Sequence, residues 1–244
     1  VEETLYGTSC YNGGGHLLNI PNFSRLLIGE FMDYEKLVYL DSDSIIQYDI
    51  SEKIKLCDVT ENSKFSMYPM CANKINKDNT KEIVIKLKTI LNDKFKDWES
   101  LIGEKIDMES YAYLGAPFVT NCKKWKNVYS KIKNIIKTHN EQADGLYKLF
   151  TMSIQNIIFY NKMENINTII KTLPDLGSKR KHWDEDDLLD TVVLDWSGIL
   201  KPWYKNGLYK TIWEKYNILK LMNTKEVNIV KNIVENFKIP NSDK

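Results

Sequence analysis

Apolar residues recur at helical spacing across NFSRLLIGEFM (22–32), with Asn22 or Ser24 able to cap, which predicts a helix. LVYL (37–40) follows as a short, continuous, β-prone run. It reads as a strand buried on both faces of a parallel sheet, so Asp41, Ser42 and Asp43 fall at its C-terminal end. NKINKDNT (73–80) reads as a solvated loop, and 81–98 as a helix with Ile83, Leu87, Ile90 and Leu91 inward. Ala116 to Thr120 predicts a second strand, followed by a helix around Val128 to Ile136. A buried helix is expected over 146–160, a charged loop over 180–190 and a strand over Thr191 to Leu194. Residues 208–236 carry helical periodicity around Ile212, Trp213, Tyr216, Leu219 and Ile229. Strands interleaved with helices predict an α/β protein.

Composition limits the picture without naming an activity. A chain of 244 residues fits one large domain, or one with a small appendage, and 43% hydrophobic residues supply a core. The 34 basic and 33 acidic residues leave a formal charge of +1, with no net field for a nucleic-acid backbone or an anionic membrane. Only Arg25 and Arg180 are arginines; the lysine, asparagine and isoleucine excess reads as a low-GC coding bias, as in large DNA viruses, some parasites and some bacteria, and carries no chemistry. Distribution says more. Glu2, Glu3, Glu30, Asp33, Glu35, Asp41, Asp43 and Asp49 face only Arg25 and Lys36 in the first fifty residues, an acidity that suits a cation site.

No apolar run reaches the roughly 18 residues of a membrane span, and VEETLYG resembles no signal peptide, so a cytoplasmic protein is expected. A start at Val suggests a fragment or a processed form. Cys10, Cys57, Cys71 and Cys122 lack the spacing of zinc ligands and read as reduced thiols. The glycines at 13–15 read as a flexible loop, and His16 as structural.

Two segments carry candidate chemistry. Asp41 and Asp43, one residue apart at a strand end, can converge on a hard cation such as Mn²⁺ or Mg²⁺, although the bare pattern also fits a solvated turn. Asp195-Trp196-Ser197-Gly198-Ile199-Leu200-Lys201-Pro202-Trp203 follows another predicted strand. Gly198 permits close backbone approach, Lys201 offers a point charge for phosphate oxygens, and Asp195 can add a third metal oxygen. Trp203 reads equally as a core aromatic or a ligand contact.

These residues resemble glycosyltransferase family 8, which includes glycogenin and bacterial lipopolysaccharide hexosyltransferases. The resemblance rests on SRLLIGEFMDYEKLVYLDSDSIIQYDI, YLGAPFVTNCKKWKN, SIQNIIFYNK followed by LP, and DWSGILKPW with a trailing Trp213. It implies a single α/β GT-A (Rossmann-like) domain over 1–216, with a mixed, mostly parallel sheet flanked by helices, and a helical extension over 217–244. It further implies a metal-dependent, retaining transfer of a hexose from a UDP-sugar to a saccharide or protein acceptor, and is compatible with a homodimer. The metal, Mn²⁺ or Mg²⁺, would sit on Asp41, Asp43 and Asp195. Arg25, Leu40, Ser42, Gly115, Ala116, Gly198, Lys201 and Trp203 would meet the donor. Gln155, with Asp43, would act in catalysis.

Three departures accompany the likeness. The usual metal-binding His is Asp195, which remains a competent ligand with altered metal preference. The Asn and Asp that the family turns toward the donor sugar are Leu114 and Ile154, unless the acidic partner is Glu141 or Asp144. Only forty residues precede Asp41, so the front of the domain is abbreviated or lies outside the given sequence. Two other readings stay open: a nucleotide-sugar-binding scaffold without turnover, suggested by Leu114 and Ile154, and a DxD phosphatase of the haloacid-dehalogenase type with Asp41 as nucleophile.

Overall fold

The computed structural model describes residues 20–71, 73–75, 82–178 and 183–216. The expectations for the first nineteen residues, for parts of the 73–80 and 180–190 loops and for the helix beyond 216 lie outside them.

The predicted first helix is three short pieces: α1 (Ile20–Phe23), a 3-10 turn (Ser24–Leu27) and α2 (Ile28–Phe31). Both Arg25 and Leu26 of the tighter middle turn are buried. Strands β1 (Leu37–Tyr39) and β2 (Ser44–Ile46) follow, then α3 (Ser51–Leu56) and β3 (Met67–Cys71). The segment read as a loop and a long helix contains instead β4 (Asn73–Ile75) paired antiparallel with β5 (Glu82–Val84), a single turn α4 (Leu87–Ile90) and α5 (Trp98–Ile102). The β-branched run Ile83-Val84-Ile85 favours pairing over helix.

β6 (Tyr113–Thr120) is the central strand, hydrogen-bonded antiparallel to β1 on one side and β3 on the other. α6 (Cys122–Glu141) starts where the Asn121 side chain accepts from the amides of Lys123 and Lys124. It buries Trp125, Ile132, Ile135, Ile136 and His139 along one stripe. α7 (Phe150–Ile158) is buried almost all round. After a 3-10 turn (Ile166–Thr168) come β7 (Thr172–Leu173), α8 (Glu185–Leu189), β8 (Val193–Asp195) and α9 (Lys210–Lys215). α8 occupies part of the segment read as a charged loop, with Asp184 capping it through the Asp187 amide.

The described strands form three sheets, β1–β6–β3, β2–β8–β7 and β4–β5, of which the second is mixed as expected, but the pairing is predominantly antiparallel rather than mostly parallel. Only the β7–β8 ladder is parallel, and β2 pairs antiparallel with β8. Along β6 the pleat sends Phe118 into a core with Trp125, Phe150 and Phe159, and Val119 into a second with Tyr68, Met70 and Val193. A third cluster gathers Leu176, Leu194, Trp196 and Ile212 beneath the 195–203 loop. Gly29 lets α2 lie directly on α6: a Cβ there would stand 2.2 Å from the Lys126 nitrogen. Cys57 and Cys122 are free and buried, and burial pushes the Cys57 thiol up to about 11. No helix among the described residues is long and apolar enough to cross a membrane.

Candidate metal and donor site

The register of β2 against β8 assembles the site. Ser44 stands opposite Asp195, and the Trp196 amide donates to the Asp43 carbonyl at 3.0 Å. Carboxylates separated by some 150 residues of chain are thereby brought together: one ligand atom each from Asp41, Asp43 and Asp195 lie within 4.8 Å of one another. Asp195 is 3% exposed, with one oxygen accepting from Ser44 Oγ at 2.8 Å and the other from the Ser197 amide at 2.9 Å. Burial first, and the neighbouring Asp43 second, push its carboxyl up from 3.8 to about 6. Asp41 is also held above the ordinary carboxylate range by burial, against the pull of Arg25. An acidic cluster crowded in this way, with Asp195 buried and Asp41 and Asp43 partly so, fits a divalent cation, which would relieve the repulsion through three oxygen ligands.

Two side-chain cations flank the acids. Arg25, 7% exposed, donates through Nη2 to Asp41 and to Asn22, each at 2.8 Å, and through Nη1 to the Gly115 carbonyl at 2.8 Å. Its guanidinium lies over the Tyr39 ring, 5.0 Å from the centroid. Lys201 contacts Asp43 Oδ2 and donates to the Trp196 carbonyl at 2.7 Å. Beyond Arg25 lies Gln155. It is 1% exposed, and both of its amide atoms lack a hydrogen-bond partner. Its Oε1 would be 3.3 Å from a Cβ placed on Gly115, and Arg25 Nη1 2.8 Å from the same point. Glycine is therefore what allows these two side chains to close on β6.

The loop after β8 is laced to residues 175–178. Leu176 N donates to Asp195 O, Gly177 N to Ser197 O and Leu200 N to Gly177 O, at 3.0, 3.1 and 2.9 Å. Gly198 has φ +111°, and a Cβ there would meet Gly177 O at 2.5 Å, so both conformation and space demand glycine. Behind the loop, Trp196 packs edge-on against Trp213 with ring centroids 5.2 Å apart, and half-exposed Trp203 leans on Trp213 at 5.2 Å.

Residues 15–207 match the profile of glycosyl transferase family 8. The chain belongs to that family. It is similar to the human glycosyltransferase 8 domain-containing protein 1, 29% identical over 108 residues, which is 41% of this chain and 29% of that protein. Among solved structures, an active-site mutant of LgtC is 19% identical, covers 84% of this chain and 67% of that one, and has a TM-score of 0.50. The galactosyltransferase LgtC with donor and acceptor sugar analogs is 18% identical over 84% of this chain and 66% of that one, with a TM-score of 0.49. The chain thus spans under a third of the curated relative it matches and about two thirds of the solved neighbours named. The fold is that of the GT-A glycosyltransferases. Membership in family 8 displaces the haloacid-dehalogenase alternative.

In this family 8 chain, Arg25, Asp41, Asp43, Gly115, Gln155, Asp195, Gly198 and Lys201 gather in one neighbourhood. Leu40 packs into the second core, Ser42 is an exposed turn residue, and Ala116 is buried in β6. Trp203 touches the aromatic ladder rather than the acids. Leu114 is half-buried between two cores, and Ile154 is fully buried in the first. Glu141 ends α6 in an exposed ion pair with Lys137, Asp144 is exposed, and neither is part of the acidic cluster. Sequence reading missed Ser44 as a partner of Asp195 and Tyr39 beneath Arg25. Both flank the DxD, but their roles depend on register and on the tight turn at Arg25.

Proposed function

We propose that the protein is a metal-dependent, retaining glycosyltransferase that takes a hexose from a UDP-sugar to a saccharide or protein acceptor. One observation carries this reading: three carboxylates from two distant segments, flanked by Arg25 and Lys201, form a two-signed site matched to a divalent cation and a diphosphate. Asp41, Asp43 and Asp195 would hold Mn²⁺ or Mg²⁺. The bound ion would supply Lewis-acid neutralisation of charge gathering on the leaving diphosphate. Lys201 supplies a compact positive charge for the same oxygens, and exposed Gly198 lets the diphosphate approach main chain. Arg25 is fixed by three acceptors and orients Asp41 rather than ranging freely. The unpartnered Gln155 oxygen, aimed beside Gly115, is suited to stabilise positive charge at an anomeric carbon without acting as a strong nucleophile.

The test is calorimetry of UDP binding with Mn²⁺ present. Wild type should bind and Asp43→Ala should not; unchanged affinity in the variant would refute the assignment. Leu114 is apolar and half-buried and Ile154 is enclosed in the first core, so neither offers a donor sugar a polar contact, which favours the scaffold as a second reading. Incubation with Mn²⁺ and each UDP-hexose separates the two: enzymes release UDP, scaffolds bind without releasing it.

A further inference from the structure

The two cations flanking the acids are held very differently. Arg25 is buried, with Nη1 on the Gly115 carbonyl and Nη2 on Asn22 and Asp41 over the face of Tyr39, and Nε alone without a partner, so moving it would strand buried acceptors and donors. Lys201 sits on a flexible stem with its side chain 22% exposed, and it engages one carboxylate and one carbonyl. Asp43, 14% exposed, has this ammonium on Oδ2, while Asp195 accepts from the neutral donors Ser44 Oγ and Ser197 N. A divalent ion coordinated by Asp43 would therefore meet a like charge already in place on that carboxylate.

We infer that Lys201 is a displaceable counterion. It competes with the divalent ion for Asp43 and releases that carboxylate when a diphosphate offers its ammonium other anionic oxygens. Metal and nucleotide diphosphate therefore enter as a unit, and metal alone binds weakly. This rests on the donor-site reading proposed above. Linkage makes the effect reciprocal: each ligand tightens the other by the same factor, and Lys201 accounts for part of that factor.

The experiment uses the full chain with Mn²⁺ and UDP as probes. Free Mn²⁺ is counted by electron paramagnetic resonance and UDP binding by calorimetry, for wild type, Lys201→Met, Lys201→Gln and Lys201→Arg, each checked for a wild-type melting profile. In the two neutral variants, Mn²⁺ alone should bind about tenfold tighter, within the range usual for coupled sites, while UDP in the presence of Mn²⁺ binds more weakly. Lys201→Arg should keep free Mn²⁺ affinity near wild type. Unchanged Mn²⁺ affinity in both neutral variants with weakened UDP binding makes Lys201 a diphosphate contact alone and overturns the inference. Loss of both affinities makes it structural and overturns it too. Wild type that binds no Mn²⁺ and UDP together would instead defeat the donor-site reading.

Discussion

Replacing Gly198 by alanine separates backbone strain from collision, because Gly103 provides a matched control. Both glycines have positive φ, +86° at Gly103 and +111° at Gly198. A Cβ at Gly103 would meet nothing within 4 Å, whereas at Gly198 it would lie 2.5 Å from Gly177 O, 2.6 Å from Gly177 C and 3.0 Å from the Ser178 nitrogen. Gly103→Ala should therefore cost the left-handed penalty alone, about 1–2 kcal/mol. Gly198→Ala adds a collision with main chain, which cannot rotate away, and overpacking of this kind adds about 1–3 kcal/mol. Urea denaturation of the three proteins should rank them wild type, Gly103→Ala, Gly198→Ala. Relief of the clash must also part the loop from residues 175–178 and so shift Asp195 and Lys201. Only Gly198→Ala should lose Mn²⁺-dependent UDP binding in calorimetry. Equal destabilisation by the two substitutions, with normal binding in Gly198→Ala, would refute the interlock.

Further outcomes follow from the same geometry. With chelator present, Asp195→Asn should stabilise the protein at pH 7.5, because moving a carboxyl from 3.8 to about 6 corresponds to about 3 kcal/mol of preference for the neutral form. The sign follows from the raised folded-state value: wild-type stability from this group is highest below pH 3.8 and falls as pH rises to about 6, and urea midpoints of the variant should lack that fall. Arg25→Ala leaves the partly exposed Asp41 without its buried partner and should cost about 1.5–3 kcal/mol in urea unfolding, while Asp41→Asn in that background should recover part of it. Trp125→Ala, which removes a fully buried indole from the first core and strips Thr120 Oγ1 of its indole donor, should cost about 3–5 kcal/mol by the same assay. Gly29→Ala should destabilise the α2–α6 contact, read as faster amide exchange in 28–31, since main chain of α6 fills the space.

The acidic strand end was legible because its neighbours are unambiguous: LVYL is β-prone and the two aspartates follow without interruption. Its direction was not. Leu37 and Tyr39 pack on the first core, Val38 and Leu40 on the second, so an antiparallel strand covered on both faces shows the continuous apolar run of a parallel one. The 81–98 segment misled for a related reason, since Leu87, Ile90 and Leu91 are buried as a helix would bury them, yet one turn and flanking strand suffice. Asp195 was readable as a third metal oxygen because it too follows a predicted strand. Spacing alone could not reveal that β2 and β8 would set it beside Asp43. The roles of Ser44, Tyr39 and Gly115 depend on register and close approach, and one-dimensional patterns do not encode these.

The pairing of Ser44 with Asp195 has a consequence for how errors of folding are detected. A slip of β2 by one residue along β8 would turn Ser44 to the opposite face, away from Asp195, and displace the adjoining Asp43, breaking up the acidic cluster while leaving most of the apolar core intact. Such a misregistered chain could remain compact and escape recognition by exposed hydrophobic surface. A ligand drawing on both strands would favour only the correctly threaded form, so the nucleotide and its ion would act as a proofreader of the fold as well as reactants.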